Sequence, residues 1–402
     1  MPQYASSSDL PQRHYDVIVV GGGIMGSATA YYLLKYQPEL RVCVVEKDMS
    51  YRRSSTVLSD GNTRVQFNLK ENIQMSLYGL EVYQRFAEDM AVDGQAPELD
   101  FRQQGNLFLA DEDGKEAAQA GVATQQALGA EVAWLEPEDI PPLYPYCKLE
   151  GVAGASFGPK DGTLSPYNLL MAYKNKAVAM GADYLEAEVG TLQSDKRQMT
   201  GVVLADGERL HSSTILASAG AWVGGLLEPL GVKLPIKGIK RQVYFIQTPM
   251  EVSQKLPALF LPLGNYLIHE AGGNFITGKA LASDPESYDD FSCSRERFEE
   301  ELWPVLASYI PELERLKVAR MWAGLYAVNH FDGNGIIGEW PLLEGLYLAN
   351  GFSGHGLQQC HAVGRYLSER ILRRDISLDL SRLGAERILG ERPLYENPRK
   401  LI

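Results

Sequence analysis

Cysteine is scarce in this chain. Its four cysteines, Cys43, Cys147, Cys293 and Cys360, lie far apart and none forms a CxxC pair. Neither a metal knuckle nor a disulfide framework is expected, and reduced thiols are. The six histidines form no ligand-spaced pair, so no metal site is expected either. Positive charge is also short: 38 Lys and Arg against 51 Asp and Glu leave a formal net charge of −13. Nucleic acids and anionic membranes reward basic patches, so neither is an expected partner. No uninterrupted apolar run approaches the roughly 18 residues of a spanning helix, so no integral membrane segment is expected. The N-terminal MPQYASSSDLPQRH lacks the apolar core of a signal peptide. The expectation is a soluble, cytoplasmic protein, or one of the mitochondrial matrix in a eukaryotic cell.

What is present is ordinary globular composition, 45% hydrophobic and 22% charged over 402 residues, enough for two domains. YDVIVV, Tyr15 to Val20, is a short β-branched run of the kind a buried parallel strand needs. GGGIMG follows, with Gly21, Gly23 and Gly26 at GxGxxG spacing, then a helical ATAYYLLKY and a second strand, RVCVV, closed by Glu46. Gly21 permits the tight turn, Gly23 lets the backbone approach a pyrophosphate, and Gly26 lets the helix pack on the strand. The helix terminus faces the phosphates, and the Glu46 carboxylate can accept from ribose hydroxyls. Dinucleotide binding is therefore expected, by NAD or FAD. Three further strand-like segments, YLEAEV (Tyr184 to Val189), TILASAGAW (Thr214 to Trp222) and GLYLANG (Gly345 to Gly351), return far downstream. Such returns suit a long cofactor threaded across the sheet edge.

GGGIMG with Glu46, SAGAW, and GFSGHG before a terminal helix together resemble the D-amino-acid oxidase and sarcosine oxidase superfamily of FAD enzymes. The resemblance covers nearly the whole chain. STVLSDGNTRVQF, WAGLYAVNHFDGNGIIG and GFSGHGLQQ resemble most closely the branch that contains a mitochondrial FAD-dependent oxidoreductase linked to respiratory complex I assembly. The resemblance implies an α/β FAD-binding Rossmann-like (glutathione-reductase-like) domain interleaved with an α+β substrate domain built on an antiparallel sheet. The FAD domain would comprise residues 14–90, 148–225 and 324–382, the substrate domain 91–147 and 226–323, and 383–402 a C-terminal extension. The strand-like Phe101 to Ala110, Lys240 to Ile246 and Gly264 to Glu270 fall in the intervening pieces. The cofactor set it implies is Gly21, Gly23, Ile24, Met25, Gly26, Glu46, Lys47, Ser55, Thr56, Ser59, Arg64, Val189, Ala219, Gly220, Trp222, Gly354, His355, Gly356, Leu357 and Gln358.

The turn Gly351 to Gly356 enters a helix-like AVGRYLSERIL. A helix N-terminus offers unpaired N–H groups and partial positive charge, and reduction of a flavin places negative charge at N1 and the C2 carbonyl. The turn is therefore read as an anion stabiliser at the ring edge. His355 contributes either its imidazole or, as its flanking glycines favour, only main chain.

Four catalytic candidates follow. Arg64 offers a fixed fork of donors to a substrate carboxylate or to the flavin region, unless it is a surface arginine. Tyr266 and Tyr326 fall on segments that border the substrate cavity in sarcosine oxidases, and each either orients a substrate or is simply a buried tyrosine. Gln358 stands where sarcosine oxidases carry a carboxylate-binding lysine, and Phe67 where a second arginine of that pair would be. Gly324 matches the covalent-flavin cysteine, which implies non-covalent FAD. Ile276 takes the place of the lysine that promotes reaction with oxygen, with Lys279 able to shift into that role. His269 is a further pocket candidate or a structural histidine.

The expected activity is oxidation of the C–N bond of a small amino acid or N-substituted amine, by hydride transfer to flavin N5, giving an imine that hydrolyses. An electron-transfer protein is a candidate acceptor. An FAD-binding assembly factor with little turnover, and an NAD-linked dehydrogenase, stand as alternatives.

Overall fold

The computed structural model describes residues 13–396. Strand β1 (Val17–Val20) is buried on both faces and pairs in parallel with β2 (Val42–Glu46) and with Ile215–Ala217. The full sheet runs in the order Ile336–Glu339, Leu346–Asn350, Ile215–Ala217, β1, β2, Asp183–Glu186. All its pairs are parallel except that between Ile336–Glu339 and Leu346–Asn350. All three downstream returns join this one sheet. Tyr184 to Val189 divides, however: its first part is the edge strand, and Val189 begins a separate three-stranded antiparallel sheet.

Alternation within the strands sets the layers. Val17, Val19, Val42, Val44 and Leu216 face helix α1 (Ile24–Tyr36), helix α2 (Lys70–Asp89), Pro166–Ala179 and helix α3 (Gly356–Ile371). Ile18, Val20, Cys43, Val45 and Ile215 face the three-stranded sheet through Leu192, Val202 and Leu210. Helix α1 is buried from Ile24 to Leu34, as a helix at the centre of a layer must be.

An eight-stranded sheet forms the second unit. One edge is the long pair β3 (Ile236–Gln247) and β4 (Lys317–Asn329), with β4 outermost, antiparallel along almost their whole length. Asn274–Gly278, Tyr266–Ala271, Ala258–Phe260, Asn106–Ala110, Gly154–Gly158 and Ala133–Leu135 follow in order. The boundaries expected at 148 and 324 cut through this sheet. Gly154–Gly158 pairs with Asn106–Ala110, and β4 runs on to Asn329. Ladder hydrogen bonds thus carry the substrate unit further into both segments than motif spacing implied. Of the strand-like Phe101 to Ala110, only Asn106–Ala110 is a strand.

The C-terminal extension packs back onto the unit built on the parallel sheet. Buried Arg387 pairs with Asp332, Nε to Oδ2, at 2.7 Å. Asn334 Nδ2 donates to the Leu394 carbonyl at 2.5 Å. Glu396 Oε2 then accepts the N–H groups of Asn68 and Leu69 at 2.6 and 3.2 Å. It caps α2, whose own N-cap residue, Leu69, has no side chain that can.

Candidate active site

A cavity of about 490 Å³ runs from the carboxyl edge of the parallel sheet to the inner end of β4. At one end Glu46 turns its side chain back onto the glycine turn. Oε2 accepts the Gly22 N–H at 2.8 Å and Oε1 the Asp48 N–H at 3.0 Å. Burial pushes this carboxyl above its ordinary value, and the two N–H groups work against that shift. One acceptor direction remains on each oxygen for a ligand. Lys47 and Trp222, expected separately, form one wall: Lys47 Nζ lies 3.7 Å over the indole, whose Nε1 donates to the Tyr288 carbonyl at 3.0 Å.

Gly21, Gly23, Ile24 and Met25 line the middle of the cavity, with Ser55, Thr56 and Ser59 opposite and Val189, Ala219 and Gly220 to the side. The α1 terminus enters here with no side-chain cap on Gly23, and the Ile24 N–H reaches Thr56 Oγ1 at 3.3 Å. Gly26 lies behind the wall. A Cβ there would sit 2.1 Å from the Gly21 carbonyl oxygen, so its work is close packing of helix on turn. Ser55 Oγ donates to the Leu325 carbonyl at 2.5 Å, joining this segment to β4.

Tyr326, Gly354, Gly356 and Leu357 line the far end, where α3 begins without a side-chain cap. Behind this end lie Arg64, His355, Gln358 and Tyr266. Gln358 Oε1 accepts the Arg64 backbone N–H at 2.8 Å, so its amide oxygen holds the main chain of the arginine. The Arg64 guanidinium stacks on Phe67 and Phe108, 4.8 and 5.3 Å from the ring centroids, with Nη2 3.4 Å from His355 Nε2. Arg64 is buried, not a surface arginine. The His355 imidazole turns towards Arg64 and meets Phe67 edge-on at 5.1 Å.

From Arg64 an aromatic wall leads along the substrate sheet. Phe108 stacks on Phe260 at 4.1 Å, with Tyr266 6.1 Å beyond. Ile276 packs against this wall. Tyr266 in turn faces the Asp60 carboxylate, which also influences Tyr326. Burial raises both tyrosine hydroxyls and the Asp60 carboxyl above their ordinary values.

His269 lies on the opposite face of its strand, where Nδ1 accepts the Leu256 N–H at 3.3 Å and Nε2 lies 2.9 Å from the Gly272 carbonyl oxygen. It is structural. Lys279 follows the end of the strand, and its carbonyl accepts from Arg297 Nη2 at 2.8 Å. Gly324 sits opposite Arg241 in the ladder, and a Cβ there would come within 3.2 Å of Leu58 Cβ. Among the described residues, no group of three or more His, Cys, Asp or Glu is arranged to hold a metal ion, and no helix is long and apolar enough to cross a membrane.

Sequence reasoning passed over Asp60, Phe108 and Phe260. Asp60 stands within LSDGNTRVQF, but beside Gly61 it reads as a turn residue. The two phenylalanines meet only because Asn106–Ala110 and Ala258–Phe260, distant in sequence, pair in parallel.

The family described as FAD dependent oxidoreductase matches residues 16–370. The chain is 35% identical to FAD-dependent oxidoreductase domain-containing protein 1 of Xenopus laevis, over 98% of this chain and 86% of the frog protein. It is 25% identical to the sarcosine oxidase subunit beta of an Arthrobacter species, over 92% of this chain and 90% of that subunit. L-proline dehydrogenase from P. horikoshii superposes with a TM-score of 0.84 at 26% identity, over 96% of this chain and all of that one.

Proposed function

Since the chain belongs to the FAD dependent oxidoreductase family, we propose that it oxidises the C–N bond of a small amino acid or N-substituted amine to an imine, which water hydrolyses. Family membership also decides between the two cofactors that share the glycine fingerprint. The cavity fits FAD in its donor set: the Glu46 carboxylate at one end, the uncapped α1 terminus in the middle and the uncapped α3 terminus at the other. When bound, FAD supplies the two-electron acceptor.

The chain's own residues bind and orient. The observation that carries the reading is a buried arginine, Arg64, set into an aromatic wall behind the end of the cavity that Tyr326 and Gly354 line. A guanidinium stacked on Phe67 and Phe108 keeps its donor edge directed, which suits a substrate carboxylate. Gln358 and His355 hold that arginine in place. The Phe108–Phe260 stack excludes water and accepts an apolar side chain or N-substituent. Relatives whose names are glycine oxidase and 4-methylaminobutanoate oxidase support a CH–NH donor. Gly324 leaves no cysteine sulfur at the matching position, in keeping with non-covalent FAD.

The test is an anaerobic panel of amino acids and N-methylated amines, read by loss of flavin absorbance. Bleaching by one chemical class, with aldehyde, keto acid or freed amine recovered, is the expected result. A yellow protein that no CH–NH donor bleaches would overturn the reading.

A further inference from the structure

Trp222 and Arg53 line the cofactor cavity from separate segments of the FAD-binding unit. One stretch of the substrate unit touches both. Residues 284–292 follow Asn274–Gly278 and run beside β3, where Glu286 bridges to Ile239. The Tyr288 carbonyl accepts the Trp222 Nε1–H at 3.0 Å, and the Phe291 ring centroid lies 5.7 Å from the Arg53 guanidinium carbon. The approach is tight. A methyl group placed on Gly238 of β3 would lie 2.4 Å from the Ser287 carbonyl oxygen and 3.3 Å from Ala221 Cβ. The stretch, β3 and the turn that carries Trp222 therefore meet at one point.

The hold of this stretch on its own unit is firm at the base and light beyond it. Buried Asp284 pairs with both Arg241 and Arg297. Past Asp284, the Pro285 carbonyl accepts the Lys240 N–H at 3.0 Å, and the Ser287 N–H donates to the Gly238 carbonyl at 2.8 Å. Glu286 pairs with Lys237 at 2.7 Å and Asp290 with Lys240 at 2.5 Å. None of residues 285–292 is buried. An ion pair as exposed as that of Lys237 and Glu286 holds little, and a segment without a buried apolar side chain opens locally at low free energy. The tip keeps its own shape: Tyr288 Oη donates to Glu286 Oε1 at 3.0 Å, and the Asp290 N–H to Ser287 Oγ at 2.9 Å. It is built to lift as one piece.

We propose that residues 285–292 are a latch on the cofactor cavity, hinged at Asp284. FAD enters and leaves while the latch is lifted, and is retained while the latch holds Trp222 and Arg53. Shut, the latch fixes the indole under Lys47, whose Nζ lies 3.7 Å from the ring centroid, and steadies the Arg53 guanidinium on an aromatic face. Two cations in the lining, with the uncapped α1 terminus, suit the diphosphate of FAD. The substrate unit thereby governs retention of a cofactor whose glycine turn and Glu46 belong wholly to the other unit. No covalent bond is made or broken, and the latch serves whichever donor the enzyme oxidises.

A gate and a contact differ in kinetics. A residue that only touches FAD slows its release; a latch obstructs entry as well as exit. The experiment follows FAD uptake by apoprotein, read by flavin fluorescence, and FAD release from holoprotein, read by exchange against labelled FAD. Phe291→Ala frees Arg53 without altering the cavity lining, and both rates should rise about fivefold, with little change in equilibrium affinity. Trp222→Phe removes the donor to Tyr288 and should raise both about tenfold. Faster release with unchanged uptake, or unchanged rates in either folded variant, would overturn the latch. Hydrogen exchange of wild-type holoprotein gives a reading that needs no variant. The Ser287 amide should exchange at least as fast as FAD is released, and well ahead of the β3 amides bonded to β4. A Ser287 amide as protected as those refutes local opening. Should Trp222→Phe not fold, Phe291→Ala and the Ser287 amide decide.

Discussion

A methyl group placed on Gly354 would lie 2.4 Å from Cε2 of Tyr326. The turn before α3 and the inner end of β4 are therefore in van der Waals register, and Gly354 holds a left-handed φ of +97° that side chains rarely adopt. Gly354→Ala should push the α3 terminus away from the cavity. The charge at that terminus is worth roughly 0.5–2 kcal/mol to a nearby anion, or about 10–40 mV for a two-electron couple. A reduction potential lower by that amount and weaker sulfite addition are expected, with FAD retained through the turn at Gly21–Gly26. A folded variant with both properties unchanged would show that the turn serves packing alone.

Glu46 is committed to its own turn as well as open to a ligand. Glu46→Ala removes the acceptor of the Gly22 N–H together with any bond to a ribose hydroxyl. Charged hydrogen bonds are worth roughly 1.5–3 kcal/mol, so FAD affinity should drop about ten- to hundredfold. Equilibrium dialysis of the apoprotein measures it. Glu46→Gln should fall between, since its amide can accept from only one of the Gly22 and Asp48 N–H groups. If Glu46→Ala binds FAD as wild type does, the carboxylate is structural only.

These two sites differ in how far the sequence disclosed them. The strand, turn, helix and Glu46 are contiguous, so spacing alone implies their geometry. That Glu46 bonds Gly22 was not legible, because side-chain direction at a strand end depends on the loop Asp48 begins. GFSGHG was readable as a helix start for the same local reason. The wall of Phe108, Phe260 and Tyr266 was not readable. It arises from pairing between strands about 150 residues apart, and periodicity within each strand says nothing about which strand lies beside it. Gln358 is shown by its motif only to stand where sarcosine oxidases carry a carboxylate-binding lysine. Its contact with the Arg64 N–H exists only once α3 and the 60–68 segment are packed together.

Glu396 was equally hidden, since it lies 327 residues beyond the Leu69 N–H that it accepts. Glu396→Ala should leave the N–H groups of Asn68 and of the N-cap residue Leu69 without this partner. The loss of a helix cap costs about 0.5–2 kcal/mol, and Asn72, which also donates to Glu396, loses an acceptor. A Tm lower by a few degrees is expected, with FAD content unchanged because the cap lies outside the cavity. An unaltered Tm would mean that water replaces the carboxylate at no cost.

The last prediction concerns acid stability and rests on His361. This histidine is fully buried on α3, with Nδ1 2.5 Å from the Tyr173 hydroxyl and the rings of Tyr83 and Phe86 around it. Nε2 has no partner among the described residues. Burial pushes the imidazole down to about 3, because a charge there would lose its water. In the unfolded chain the same group titrates near about 6.5. Between those values the unfolded state binds the extra proton, so stability rises with pH through the window and is lost as pH falls through it. The slope is about 1.4 kcal/mol per pH unit, or about 2 kcal/mol by pH 5. Asp161, lifted by burial to about 7, tilts the profile the other way, so the total slope does not isolate His361. The difference between wild type and His361→Leu does. The variant loses stability at pH 7.5, because the Tyr173 hydroxyl is left unpaired at a cost of roughly 1–3 kcal/mol. Below pH 6 its curve should converge on that of wild type, one proton's worth of slope having been removed. Urea unfolding at a series of pH values supplies both curves, and parallel curves down to pH 4.5 would show that His361 is protonated in the folded state.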